Sequence, residues 1–407
     1  MRKNLTILVL FFLTTGISSC EFMLGSRQNA DVDAIFEQGR IDPNLSPQSV
    51  GYVPIMPIWD QFSNPVDVFV GYDEMVYVVD DNGLNILDLK GELHRTIAIP
   101  GATEVIQDRR IHTYVIGKVI VTVFGQPKEL TAVYHLKNTA TMAGPDFVDT
   151  LIHPFCDASR KNTPFRNEDL NVDFTGLAVL ADNTLYVSRT GTYYDQSSSA
   201  RPDNTVLFFD PDGKNISYAK GLNPINPNLK SVIGVSAIAT FAGPPQKLYG
   251  VSESHEFLIC QADQTQPIEF RVLWIREYSD PDAGIEYGEN PELLTMDPSK
   301  ADGFLYEPNK FVKPEDVYIA PDQTSYIFIV DSGTDRFYQF TSRGLEGVPP
   351  PANSNYTKNV KVSFGSEGNG LFEFNDPMGV CYFNKMIYIA DKGNNRVIRY
   401  RLNTDLE

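Results

Sequence analysis

The chain has 407 residues, 42% apolar and 12% aromatic, with 29 Gly and 27 Pro, a composition that buries a large core and turns often. Its 34 Lys and Arg stand against 52 Asp and Glu, for a formal charge of −18. Such a field repels phosphate backbones and argues against nucleic acid as a partner.

The first element in chain order is a leader. In "MRKNLTILVLFFLTTGISSC", Arg2 and Lys3 precede an apolar run from about Leu5 to Leu13, shorter than the ~20 residues a membrane-spanning helix needs. Its end, Ile17-Ser18-Ser19-Cys20, resembles the lipobox of bacterial lipoproteins, whose Cys is acylated and becomes the new N-terminus. The resemblance implies a signal peptide over residues 1–19, a lipid anchor at Cys20 and the membrane as a partner. An ordinary signal peptide with a chance Cys is the alternative. Glu21 takes the place of the Asp that resembles an inner-membrane retention signal, so the expected address is the outer membrane of a diderm bacterium, leaflet open. Residues 20–49, polar and without periodicity, read as a tether to a folded unit at 50–407.

From residue 50 onward the chain reads as short strands bounded by turn residues. "NPVDVFVGYDEMVYVVDDNGLNILDLKG" (64–91), "KPEDVYIAPDQTSYIFIVDSGTDRFYQF" (313–340) and "DPMGVCYFNKMIYIADKGNNRVIRYRL" (376–402) share one order: Pro, an apolar strand, an aromatic-rich strand ending in Asp, a turn, then a third strand. Weaker copies at 111–137, 176–213 and 236–263 bring the number of units to six. Residues 51–58 align with the stretch that precedes the last unit and are expected to supply the outer strand of the last blade. The series Tyr77, Tyr186, Tyr249, Phe328 and Tyr388 reads as packing between units.

Pro377, Gly379, Val380, Tyr388, Asp391, Asn395, Arg396 and Val397 together resemble the NHL-repeat family, and the whole chain resembles the six-bladed NHL-like lipoproteins of the Bacteroidota. The resemblance implies an all-β, six-bladed β-propeller closed by an N-terminal strand in the last blade; seven blades and a β-sandwich are the alternatives. Asp80, Asp331, Arg336, Asp391 and Arg396 read as structural repeat residues, turn caps and blade-to-blade ion pairs.

Long insertions at about 139–173, 191–202 and 276–312 are expected on one face of the propeller. That face makes Arg189, Tyr193, Tyr194, Tyr278, Tyr287 and Tyr306 the ligand-face candidates, with Phe304 beside them, and the main expectation a non-catalytic scaffold for a protein, peptide or glycan. The alternative is a metal-dependent hydrolase or lyase, lactonase-like or amidoglycolate-lyase-like, with its site in the central channel. No cofactor is expected, and no catalytic or metal residue stands out: His94, His112, His135, His153 and His255 form no pair at ligand spacing, and Cys156, Cys260 and Cys381 show no metal-site spacing and read as structural thiols.

Overall fold

The computed structural model describes residues 50–123, 126–153, 171–191, 204–222, 230–241, 254–265, 267–282, 284–290, 303–351 and 358–406. The leader, the tether, Cys20, Cys156, Tyr193 and Tyr194 lie outside the described residues.

Strand β1 (Tyr52–Trp59) belongs to the last blade. The first blade is β2 (Asp67–Val70), β3 (Val76–Asp80), β4 (Gly83–Leu87) and β5 (Leu93–Ile97). The second is β6 (Glu104–Gln107), β7 (Thr113–Val123), β8 (Gln126–Lys137) and β9 (Asp146–Ile152). The third is β10 (Asp173–Val179), β11 (Leu185–Thr190), β12 (Thr205–Phe209) and β13 (Asn215–Tyr218). The fourth is β14 (Val235–Thr240), β15 (Phe257–Gln261), β16 (Val272–Asp280) and β17 (Gly284–Glu289). The fifth is β18 (Pro314–Ile319), β19 (Ile327–Asp331) and β20 (Arg336–Phe340); the sixth is β21 (Pro377–Phe383), β22 (Met386–Asp391) and β23 (Arg396–Leu402), with β1 outside it. All pairings within the sheets are antiparallel, and the protein is a six-bladed β-propeller.

The burial pattern follows from radial stacking. A middle strand has a blade on each side, so β3 (VYVVD), β15 (FLICQ) and β19 (IFIVD) are buried at every position, and β-branched and aromatic side chains fill both faces. Outer strands meet solvent: in β5 and β9 most positions are exposed. Cys260 and Cys381 are free thiols buried in the sheets, which fits their reading as small apolar residues.

The ring is closed by β1 in register with β23, Tyr52 opposite Leu402 and Ile55 opposite Arg399. The Asn403 N–H donates to the Gly51 carbonyl at 2.9 Å, so the outer strand expected at 51–58 is found at Tyr52–Trp59.

One blade is irregular, and one expectation needs correction. The fifth blade has three strands among the described residues, and the outer edge of β20 is covered by short bridges, Phe337 to Phe364 and Phe340 to Glu346. The insertions at 139–173 and 276–312 are not loops throughout: the first contains β9, and the second contains the end of β16 and all of β17, an outer hairpin. These outer strands are polar, and with one face in water they lack the apolar runs that mark a buried strand.

Candidate functional site

Six inner strands, β2, β6, β10, β14, β18 and β21, surround the central channel. One position recurs in each, just before the apolar residues Val68, Val105, Leu177, Ile238, Val317 and Val380. Asp67, Glu104, Gly176, Ala237, Asp316 and Gly379 occupy it. Inner strands of neighbouring blades do not share a ladder, so their outward backbone N–H groups need other partners. Three are supplied by carboxylates. The Val105 N–H donates to Asp67 Oδ2 at 2.8 Å, the Leu177 N–H to Glu104 Oε1 at 2.6 Å, and the Val380 N–H to Asp316 Oδ2 at 2.7 Å. Each bond crosses to the next blade at the same register. The remaining oxygens of the aspartates accept from the next residue of their own strand, Val68 to Asp67 Oδ1 and Val317 to Asp316 Oδ1, both at 2.7 Å. Glu104 Oε2 has no hydrogen-bond partner among the described residues.

Glycine serves where blades approach closely instead. A Cβ on Gly379 would stand 2.7 Å from the Asp67 Cα, and one on Gly176 would stand 2.9 Å from the Ile238 amide nitrogen. Three joints of the ring are thus bridged by carboxylates and two are glycine joints, while the joint between β14 and β18 carries Ala237.

The channel has two chambers. The upper, of about 580 Å³, opens on the face that carries the connections between blades and the turns between second and third strands; Lys118, Thr131, Asp173, Thr175, Ser236 and Lys392 are in its wall. The lower, of about 80 Å³, lies at the C-terminal ends of the inner strands and is walled by Phe69, Tyr72, Tyr318, Tyr382 and Phe383 among others. Asp67, Glu104 and Asp316 are the residues common to both walls, so the carboxylates form the waist between them.

Enclosure by the strands disfavours charge on all three. Burial pushes the Asp67 carboxyl up to about 7 against the two backbone N–H bonds that favour its anion. Burial, then repulsion from Asp67 and Asp316, holds Glu104 well above the usual carboxylate range, and burial with repulsion from Asp67 does the same to Asp316. The waist therefore holds protons at neutral pH, and Asp67 changes charge close to it.

This arrangement does not fit a divalent metal. Among the described residues no group of three or more His, Cys, Asp and Glu side chains is placed to hold one. Five of the six waist oxygens already accept a backbone N–H, which fixes their orientation toward the strands.

The ligand-face candidates are not brought together. Arg189, Tyr287 and Tyr306 are 1%, 6% and 0% exposed, and all three are corrected to packing positions. Arg189 Nη1 sits against His153 Nε2, and Tyr306 and Tyr287 belong to the largest apolar cluster: pairing of β17 with β16 carries Tyr287 inward, and Tyr306, in a turn before the fifth blade, donates its hydroxyl to the Trp274 carbonyl at 3.2 Å. Tyr278 is exposed on β16, the third strand of its blade, its hydroxyl donating to the Glu289 carbonyl at 3.3 Å, away from the channel wall. Phe304 bridges to Leu345 at the edge of the fifth blade.

The repeat residues form a consistent set. Asp80 accepts from the Ser63 N–H, Asp331 from Val312 and Lys313, and Asp391 from Asn375, so each anchors the segment that leads into its own inner strand. Arg396 Nε donates to Asp391 Oδ2 at 2.7 Å, and its other nitrogens to the carbonyls of Asn369, Gly370 and Glu373. This pair closes a turn inside one blade rather than joining two. Arg336 lies 5.7 Å from the Tyr338 ring centroid.

Sequence spacing also missed His112 and His135, which are 2.9 Å apart through Nδ1 and Nε2 across the second blade, with His135 stacked on Tyr114. The waist itself had one faint signal, the acidic residue two places after Pro65 and Pro314, but Pro377 is followed at that place by Gly379 and Glu104 has Ala102 in place of the Pro.

No family model matches the sequence, and no curated protein matches it. Solved structures similar in fold include a gluconolactonase from Xanthomonas campestris, 11% identical, with 89% of this chain and 94% of that one covered and a TM-score of 0.46. A virginiamycin B lyase from Staphylococcus aureus is 11% identical, covering 87% of this chain and 99% of that one with a TM-score of 0.40. A luciferin-regenerating enzyme is 9% identical, covering 86% and 95%, with a TM-score of 0.46.

Proposed function

We propose that this propeller is a small-molecule enzyme of the hydrolase or lyase type, with the waist of its central channel as the active site and no divalent metal at the waist. The observation that carries the reading is the set Asp67, Glu104 and Asp316, shared by two chambers and held at protonation states that differ from those of surface carboxylates. Groups with separated proton affinities supply both an acid and a base at one pH. Glu104, protonated and with Oε2 without a partner, is the proton donor to a leaving group or carbonyl oxygen. Asp67, which changes charge near pH 7, is the group that takes a proton. Lys118, ion-paired with Asp173 at the upper mouth, bounds the entrance.

The test is a panel of small esters, lactones, amides and elimination substrates turned over by the wild-type chain and by Glu104→Gln. General acid–base groups typically contribute about 10²–10⁴-fold, so a loss of at least about a hundredfold with an unchanged circular dichroism spectrum is expected. An absence of turnover across the panel, or full activity in the variant, overturns the reading.

The lipid anchor rests on the leader sequence. The NHL-like kinship and its bacterial group rest on the last blade's motif, and an outer-membrane lipoprotein tethered through Cys20 completes the proposal. Metabolic labelling with a fatty acid tests it: label is expected on the wild-type chain, and a Cys20→Ala variant that still labels removes the anchor.

A further inference from the structure

The waist meets the lower chamber, and the chemistry of the two together is more specific than that of either. Five of the six waist oxygens are tied to backbone N–H groups and burial holds the carboxyls largely protonated; a cation set against them favours their ionised form, while the tied oxygens are poorly placed to wrap a hard, strongly hydrated ion. Directly below them the wall turns aromatic. Phe69 and Tyr318, from the first and fifth blades, approach to 6.4 Å between ring centroids, and Tyr72 and Phe383 complete that side of the chamber. Aromatic faces attract cations that shed water easily and offer little to anions or neutral polar groups. Above the waist the wall is mixed: the hydroxyls of Thr131, Thr175 and Ser236 and the lysines Lys118 and Lys392 stand among apolar side chains. The chain as a whole carries −18, a field that draws cations toward the protein, and Lys118 and Lys392 are the cationic side chains in the upper wall.

We propose that the channel takes an organic ammonium compound, its cationic head in the aromatic lower chamber under the carboxylate waist and its hydroxyl-bearing remainder in the upper chamber. The proposal rests on the channel reading above and names the substrate class for that site. Small volume below and large volume above fit a compact head on a longer polar body.

The experiment is isothermal titration of the purified full chain with choline and with its uncharged isostere 3,3-dimethylbutan-1-ol. Choline is expected to bind at least about tenfold more tightly, since a desolvated cation over aromatic faces gains that much or more. Asp316→Asn keeps an acceptor for the Val380 N–H while removing the carboxyl that a bound cation would ionise, and Phe69→Leu keeps apolar volume while removing the ring; each is expected to weaken choline by about tenfold and leave the isostere unchanged. Equal binding of the two probes, binding of neither, or choline binding indifferent to both folded variants overturns the proposal. Activity lost in Glu104→Gln toward a neutral substrate, together with equal probe binding, would retire the ammonium class and leave the channel enzyme standing.

Discussion

Asp67 joins two jobs that usually fall to different residues: it caps a backbone donor of the next blade, and its Cα forms the wall against which Gly379 packs. Gly379 has an ordinary backbone angle, so its lack of a side chain is a matter of space. Gly379→Ala puts a methyl 2.7 Å from backbone that a neighbouring blade holds in place; overpacking of this kind costs about 1–3 kcal/mol, and a lower urea midpoint at unchanged slope is the expected result. The same residues set the pH dependence, and two effects oppose. Carboxyls with raised proton affinity stay protonated in the folded chain while they ionise in the unfolded one, so stability falls as pH rises from about 4 to about 7. His135, lowered to about 4 mainly by burial, acts the other way, because the unfolded chain binds its proton first. Three carboxyls outweigh one strongly shifted imidazole, and each contributes a slope of about 1.4 kcal/mol per pH unit inside its window. Melting temperature is therefore expected to decline from pH 5 to pH 7, and Glu104→Gln is expected to flatten that decline; a wild-type profile that rises throughout this range contradicts the assignment. None of this could be read in the chain, since Asp67, Glu104 and Asp316 are 37 and 212 residues apart in turn and only radial closure brings them together.

Strands were legible in proportion to how dry they are. β3, β19 and β22, buried on both faces, stood out as apolar runs ending in Asp, whereas β9 and β17 read as insertions because their exposed faces carry polar residues. That error moved the ligand face: with β16 and β17 taken for a loop, Tyr278 and Tyr287 looked like surface contacts, yet pairing puts them on an outer hairpin and buries Tyr287. The fifth blade shows how an outer strand can be replaced. The Phe337 N–H donates to the Phe364 carbonyl and the Phe337 carbonyl accepts from the Phe364 N–H, the Gly347 N–H donates to the Gln339 carbonyl, and the Gln339 N–H donates to Ser363 Oγ at 3.2 Å. Irregular segments thus satisfy the edge of β20 without forming a ladder, which guards it against pairing with another chain. Ser363→Ala leaves the Gln339 N–H without its acceptor, a loss of about 1–3 kcal/mol. Faster amide exchange at Gln339, with exchange in the other blades unchanged, is the expected signature, and uniform protection in the variant argues that water or another group takes over.

Closure of the ring makes the blades a single cooperative unit. Each blade buries its faces only against its neighbours, so an opened seam exposes the sides of two sheets and the unpaired edge of β23 together. The seam is held by side chains as well as by the β1–β23 ladder: Tyr52, Val53, Ile55 and Trp59 are buried, the Tyr52 hydroxyl donates to Gln339 Oε1 of the fifth blade at 2.6 Å, and the Arg399 guanidinium lies 4.3 Å from the Trp59 ring while donating to the Pro57 carbonyl. Removing residues 397–407 deletes nearly all of β23, strips β1 of its partner and leaves β22 as an edge. Full burial of a large apolar side chain is worth about 1.5–3 kcal/mol, and the lost set includes Val397, Ile398, Tyr400 and Leu402 besides the stranded residues of β1. That sum rivals the 5–15 kcal/mol by which a folded protein is stable, so the truncated chain is expected to lose its cooperative melt altogether rather than melt a few degrees early. The channel fails with it, because the Asp316 bridge to the Val380 N–H depends on the sixth blade standing in place. A truncated chain that keeps the wild-type melting temperature by near-ultraviolet circular dichroism would show that the blades stand without closure, and with that the shared waist of Asp67, Glu104 and Asp316 would lose its structural basis.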